Sequence, residues 1–314
     1  MPSAQRSGRA GGPSVGARYL WDGDVVALEF TGSSGWCRLR FGVIRVGRRL
    51  RPRKRLRDSR IRRTRRAAPD DRGHSPYALR MTTFALVHGS WHGAWCWELL
   101  SPFLRRPGHD VVAMDLPCDD GSASFVTYAD VVCDALDGCN DDVVLVGHSL
   151  AGNTVPLVAA RRPVRHLVYL CAMIPDIGRS LFDQMREEPM LNPAYVKGLS
   201  EPDTQNRTRW VDLKLARELL FADCDEPTSE AAVTRLGPQA RYPYSAPFSL
   251  AEFPTVACTS VICSEDQIVR PEWSRRIARD RIGANIKELA ASHSPFLSRP
   301  SAVADVLLRI ADEN

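Results

Sequence analysis

Ser149 stands in Gly147-His148-Ser149-Leu150-Ala151-Gly152, directly after the apolar run Val143-Val144-Leu145-Val146. Small residues around a serine between a strand and a helix describe a turn tight enough to hold the hydroxyl clear of the backbone. The pattern is G-x-S-x-G with Ala151 in the last glycine's place and Gly152 following. Gly147 and Ala151 are expected to be small because strand and helix backbones nearly touch there. A serine becomes a nucleophile when a base takes its proton and an acid orients the base. Asp266, in Ser264-Glu265-Asp266-Gln267, and His293, in Ser292-His293-Ser294-Pro295, follow Ser149 in the chain order Ser, Asp, His. Asp266 is preferred over Glu265 by its position relative to the preceding strand, with one residue of latitude between them.

The chemistry of such a serine builds negative charge on a carbonyl oxygen, which needs two fixed backbone N–H donors. One is expected at Leu150, the residue after the nucleophile. The other is expected at Ser90, in the loop His88-Gly89-Ser90-Trp91-His92-Gly93 that follows the apolar run Phe84-Ala85-Leu86-Val87. His88 and His92 are four residues apart, which on a helix would put both on one face for a metal. Gly89 and Gly93 argue against a helix, and H-E-x-x-H is absent, so no metal is expected. The sequence has no P-loop or dinucleotide fingerprint, and no cofactor is expected.

These residues need a scaffold that brings distant loops together. From Met81 the chain alternates apolar strands (83–87, 110–114, 142–147, 166–171, 256–263, 285–289) with helical stretches (near 95–105, 124–137, 150–161, 271–281, 300–312). Alternation of this kind predicts an α/β fold, a mostly parallel doubly wound sheet covered on both faces. Right-handed crossovers send every strand's C-terminal end to one edge. The loops carrying Ser90, Ser149, Asp266 and His293 all follow strand ends and should meet there. The interval from about 175 to 249 is too long for a loop. It contains the helix-prone pieces Thr208–Phe221 and Thr228–Leu236 and reads as a helical cap inserted over that edge. Trp91, Phe182 and Trp210 are the candidates to contact substrate, with Met185, Met190, Leu213 and Phe221 behind them. The proline-rich run Pro238–Pro254 reads as the return to the core.

The run Leu86-Val87-His88-Gly89-Ser90-Trp91-His92-Gly93-Ala94-Trp95-Cys96-Trp97, with the serine turn, resembles the α/β-hydrolase fold family. More narrowly it resembles the branch of plant methylesterases, salicylate-binding esterases and hydroxynitrile lyases with their bacterial relatives. The similarity runs from about Thr82 to the C-terminus. It implies the α/β-hydrolase fold, Ser149, Asp266 and His293 as a catalytic triad, and Ser90 and Leu150 as the oxyanion donors. Hydroxynitrile lyases of this branch carry a lysine directly after the catalytic histidine and a threonine in the oxyanion loop. Here those positions hold Ser294 and Ser90, which weakens the lyase reading.

Composition sets the outer bounds. The 314 residues carry a net charge of +5, but residues 1–80 hold 19 Arg and 1 Lys against 6 acidic residues, a net of +14, so the remainder carries −9. The Arg-rich extension should be disordered as an isolated chain. Met81 reads as a natural start, with residues 1–80 as translated upstream sequence and 81–314 as the catalytic domain. Nucleic-acid binding would rest on residues 1–80 alone. No stretch is long and apolar enough to span a membrane, and no signal-peptide h-region is visible. Nine scattered cysteines without a C-x-x-C pair fit buried thiols in a reducing cytoplasm.

The expected function is that of a serine hydrolase acting on a small or medium apolar carboxylic ester through an acyl-enzyme. A lyase or C–C hydrolase on the same fold, and a non-catalytic small-molecule receptor, stand as alternatives. The expected partner is a small-molecule ester, with a homodimer left open.

Overall fold

The computed structural model describes residues 81–313, so the Arg-rich extension and the expectations attached to it lie outside the described residues. Six parallel strands form the central sheet. They are β1 (Thr83–Val87), β2 (Asp110–Ala113), β3 (Val143–His148), β4 (His166–Leu170), β7 (Ala257–Cys263) and β8 (Asn285–Leu289), in the order β2-β1-β3-β4-β7-β8. Every pair is parallel, with Thr83 opposite Val143, Val144 opposite His166 and Thr259 opposite Asn285. The central strands β1 and β3 are buried at every residue. That burial explains their unbroken apolar runs, since helices cover both faces. The edge strand β8, Asn-Ile-Lys-Glu-Leu, is mostly exposed and correspondingly charged.

Short elements fill the connections between the early strands. After β1 come a 3-10 turn, Ala94–Trp97, and helix α1 (Ser101–Arg105). Pro102 in the first turn of α1 fixes where this helix starts, so the single stretch expected over 95–105 is split. Helix α2 (Phe125–Ala135) opens with a capping box between Ser124 and Thr127. After β3 the chain makes a 3-10 turn, Ser149–Asn153, and then helix α3 (Val155–Ala159).

Between β4 and β7 lie α4 (Leu181–Glu187), a 3-10 turn at Pro193–Gly198, α5 (Leu213–Leu220), α6 (Glu226–Thr234) and α7 (Tyr242–Ser245). A two-stranded antiparallel ribbon, β5 (Arg207–Thr208) with β6 (Gln239–Ala240), ties the segment together. The helix expected from Thr208 begins only at Leu213, because Asp212 accepts the Leu215 N–H at 2.9 Å and caps it. The helix expected over Thr228–Leu236 is α6, shifted toward the N-terminus by Asp225, which accepts the Thr228 N–H at 2.8 Å. The last strands are followed by α8 (Pro271–Asp280), then α9 (Pro295–Ser298) and α10 (Pro300–Asp312). Among the described residues no helix is long and apolar enough to cross a membrane.

The strand order reverses direction between β1 and β3, since β2 lies on one side of that pair and β4 on the other. A crevice opens at such a switch point, outside the carboxyl ends of the strands. The loop after β1 and the turn after β3 are the two that border it.

Candidate active site

Ser149 follows β3 directly and takes a left-handed backbone, φ 52°. A non-glycine residue pays about 1–2 kcal/mol for this conformation, and the surroundings hold it there. A Cβ on Gly147 would lie 2.7 Å from Val155 Cγ1, so the strand and the following helix approach as closely as the sequence pattern implied. On the other side of the crevice, a Cβ on Gly89 would lie 2.7 Å from Ser149 Cβ. The loop after β1 therefore rests against the serine itself.

His293, in the loop after β8, brings its Nε2 to 3.1 Å from Ser149 Oγ. Its Nδ1 lies 2.8 Å from Asp266 Oδ2. These partners assign the proton to Nδ1, which donates to the carboxylate, while Nε2 accepts from the serine hydroxyl. Asp266 Oδ1 accepts two backbone N–H groups, Ile268 at 2.7 Å and Val269 at 3.0 Å, which fixes the carboxylate plane. All three side chains are buried, whereas Glu265 is exposed. The acid beside the histidine is thus Asp266.

Ser90 and Leu150 flank the serine as the sequence places them, and Ser90 lines the same cavity as Ser149 and His293. The loop carrying Ser90 is held by histidines. His88 Nδ1 donates to the Gly89 carbonyl at 2.9 Å, and its Nε2 accepts the Leu116 N–H at 3.0 Å. His92 Nδ1 donates to the Ser90 carbonyl at 2.8 Å. With both carbonyls engaged, the orientation of the intervening peptide is set. Burial lowers the pKa of His88 and pushes that of His92 down to about 3. Both rings are neutral parts of the scaffold, and His88 has spent both nitrogens on backbone groups.

Two residues that the sequence did not single out join this frame. His148 Nε2 donates to the His293 carbonyl at 3.0 Å, and burial keeps the ring neutral by lowering its pKa well below the usual value. Tyr244, from α7, brings its hydroxyl to 2.6 Å from Ser90 Oγ. Tyr244 lies in the proline-rich run read as a mere return to the core. An aromatic with a polar tip among prolines was the available signal.

The space above Ser149 has two parts. A small cavity of about 20 Å³ holds Ser149 and His293 against apolar walls from Met173, Leu191, Leu220 and Ile268. A larger one of about 250 Å³ lies beyond it, lined by Phe182, Met185, Leu199 and Arg241 among others. Trp91, Tyr195 and Tyr244 border both. Phe182 lies in the outer space, its ring stacked on Tyr244 at 5.5 Å. Trp210 lines neither cavity. It stands edge-on behind Trp91 at 5.7 Å, where it packs over Gly198, so it supports the pocket wall and does not form it. Met190 and Phe221 are buried in the core, and Leu213 is exposed.

Known proteins resemble this chain in sequence and in fold. The chain is 25% identical over 255 residues to methylesterase 9 of Arabidopsis thaliana, spanning 74% of this chain and 99% of that protein. It is 27% identical over 258 residues to polyneuridine aldehyde esterase of Rauvolfia serpentina, spanning 75% and 97%. It is also 27% identical to salicylic acid-binding protein 2 of Nicotiana tabacum, over 73% of this chain and 96% of that one. The crystal structure of polyneuridine aldehyde esterase superimposes with a TM-score of 0.64 at 26% identity, over 74% of this chain and all of that one. A pyrethroid hydrolase from Sphingobium faniae shares the fold with a TM-score of 0.65 at 22% identity, covering 74% and 98%. The resemblance to the methylesterase and salicylate-binding branch, stated from the loop after β1, is met by these relatives. The alpha/beta hydrolase family model matches residues 84–306, which takes in all six sheet strands except the first residue of β1, together with Ser149, Asp266 and His293. The chain is therefore a hydrolase of the alpha/beta hydrolase family.

Proposed function

We propose that the protein hydrolyses carboxylic esters through an acyl-enzyme on Ser149. The observation that carries this reading is the unbroken relay from Asp266 Oδ2 through the His293 ring to Ser149 Oγ, with spacings of 2.8 and 3.1 Å. Ser149 Oγ attacks the ester carbonyl carbon as its proton passes to His293 Nε2. Asp266 stays ionised and stabilises the imidazolium. The Ser90 and Leu150 N–H groups receive the charge that develops on the carbonyl oxygen. The tetrahedral species collapses as His293 returns the proton to the alcohol oxygen, and the acyl group stays on Ser149. Water then attacks the acyl carbon, gives its proton to His293, and the acid leaves.

The segment between β4 and β7 acts as a cap that limits bulk water at the acyl-enzyme. The apolar inner walls favour a small or medium apolar ester, and the esterase names among the relatives support an ester over other hydrolysable bonds. The chemistry calls for no metal, nucleotide or flavin.

Hydrolysis of short-chain p-nitrophenyl esters by wild type beside Ser149→Ala tests the reading. Loss of the nucleophile should lower kcat by up to about a millionfold and abolish labelling by a fluorophosphonate. A folded wild type that turns over no ester and takes no label would refute it.

A further inference from the structure

The outer cavity is apolar on most sides but holds one cation. Arg241 lines it, with its guanidinium carbon 5.1 Å above the Phe182 ring. Among the described residues this guanidinium has no ion pair and no side-chain hydrogen bond. The position is nonetheless a fixed one. The Arg241 N–H donates to the Asn206 carbonyl at 3.0 Å, and the Arg241 carbonyl accepts the Tyr244 N–H at 3.1 Å. Arg241 is thus tied into the same turn that carries Tyr244 to Ser90. Burial raises the pKa of Tyr195 and Tyr244, and the Arg241 charge opposes that rise at both, so the cation sits near the constriction between the two cavities.

An arginine stacked on an aromatic ring presents its N–H edge in a planar fork matched to a carboxylate. Left unpaired in a half-buried apolar cavity, it is a ready partner for an anionic group. We infer that the outer cavity recognises a carboxylate on the substrate, remote from the scissile ester, through Arg241. The favoured substrates are then half-esters of dicarboxylic acids, with the ester carbonyl at Ser149 and the free carboxylate at Arg241. Glu201 also borders the cavity but is exposed and lies beyond ion-pair distance of Arg241. It opposes an anion without cancelling the site.

This inference rests on the esterase reading, and its test separates the two. Monoethyl succinate, monoethyl adipate and monoethyl suberate are compared with diethyl adipate and ethyl hexanoate, using wild type, Arg241→Met, Arg241→Lys and Glu201→Gln. Wild type should prefer one half-ester over its neutral counterpart by about tenfold or more in kcat/KM, the scale of one charge-assisted hydrogen bond. The ratio should collapse toward one in Arg241→Met, recover in part in Arg241→Lys, and rise in Glu201→Gln. A wild type that hydrolyses neutral esters with no half-ester preference overturns the inference while leaving the esterase reading standing. So does a preference that survives Arg241→Met. Failure to turn over any ester, neutral or charged, would instead remove the esterase reading beneath it.

Discussion

The Ser90–Tyr244 contact makes a quantitative prediction. Tyr244→Phe removes one oxygen and keeps the ring that borders both cavities. Ser90 is 5% and Tyr244 8% exposed, and their hydroxyls lie 2.6 Å apart. The deletion therefore leaves the Ser90 hydroxyl buried without its partner, which costs about 1–3 kcal/mol. A loss of about 2 kcal/mol in a domain of this size lowers Tm by roughly 4–8 °C. Ser90→Ala should cost about the same, because it strands the phenol instead. The double variant has neither hydroxyl to strand, so it should lose only the net worth of the hydrogen bond, about 1 kcal/mol rather than about 4, a coupling of about 3 kcal/mol. In turnover, both single variants loosen the loop that carries the proposed oxyanion donor Ser90, so kcat should fall about tenfold with KM little altered. The assay is a set of urea melts and steady-state kinetics on all four proteins. Additive stability losses, with no coupling, would refute the reasoning.

Two further outcomes follow from the histidines and the glycine beside Ser149. His92 titrates near 3, and burial lowers the pKa of His88 and His148 too, so the unfolded chain binds more protons than the folded one as pH falls below about 6.5. The stabilisation is complete above the unfolded pKa and is lost on acidification. By pH 5 His92 alone should cost about 2 kcal/mol, and equal stability in urea melts at pH 7 and pH 5 would contradict this. Gly89→Ala would put a Cβ 2.7 Å from Ser149 Cβ, where neither backbone can yield cheaply. It should destabilise by about 1–3 kcal/mol and lower kcat more than it raises KM; a variant with wild-type kcat would show that the loop can retreat without cost.

The scaffold was legible because its code is redundant. Strands such as β3 up to Gly147 and Phe84–Val87 are buried on both faces, so every residue in them is apolar or small, and a run of that kind between turn residues has few other readings. The meeting of Ser149, Asp266 and His293 was legible because each lies beyond the C-terminal end of a strand of one parallel sheet, although His293 follows the exposed, charged β8. The segment between β4 and β7 was legible only in part, through the two helices α5 and α6 with shifted bounds. Its β5–β6 ribbon is two residues long on each side, below any periodic signal, and α4 is under two turns. Trp210 and Phe182 look alike in the sequence as large aromatics near helices. Only the fold sends Phe182 into the cavity and Trp210 behind Trp91. Tyr244 and Arg241 escaped notice because their partners, Ser90 and Phe182, are far away in the chain, and pairings of that kind leave no local spacing to read.

The order of the strands also bears on how the protein is made. As the chain is synthesised from its N-terminus, Ser149 and the loop bearing Ser90 emerge with β1 to β4, long before Asp266 and His293. A nascent chain at that stage carries Ser149 without His293, so on the proposed mechanism its hydroxyl has no base to activate it. The same stage leaves the β4 edge, His166–Leu170, without the β7 strand that finally pairs with it. An apolar unpaired edge invites pairing with other chains. Docking of β7 covers the β4 edge, whereas Ser149 meets His293 only after β8 has followed, so the edge is closed before the site is assembled.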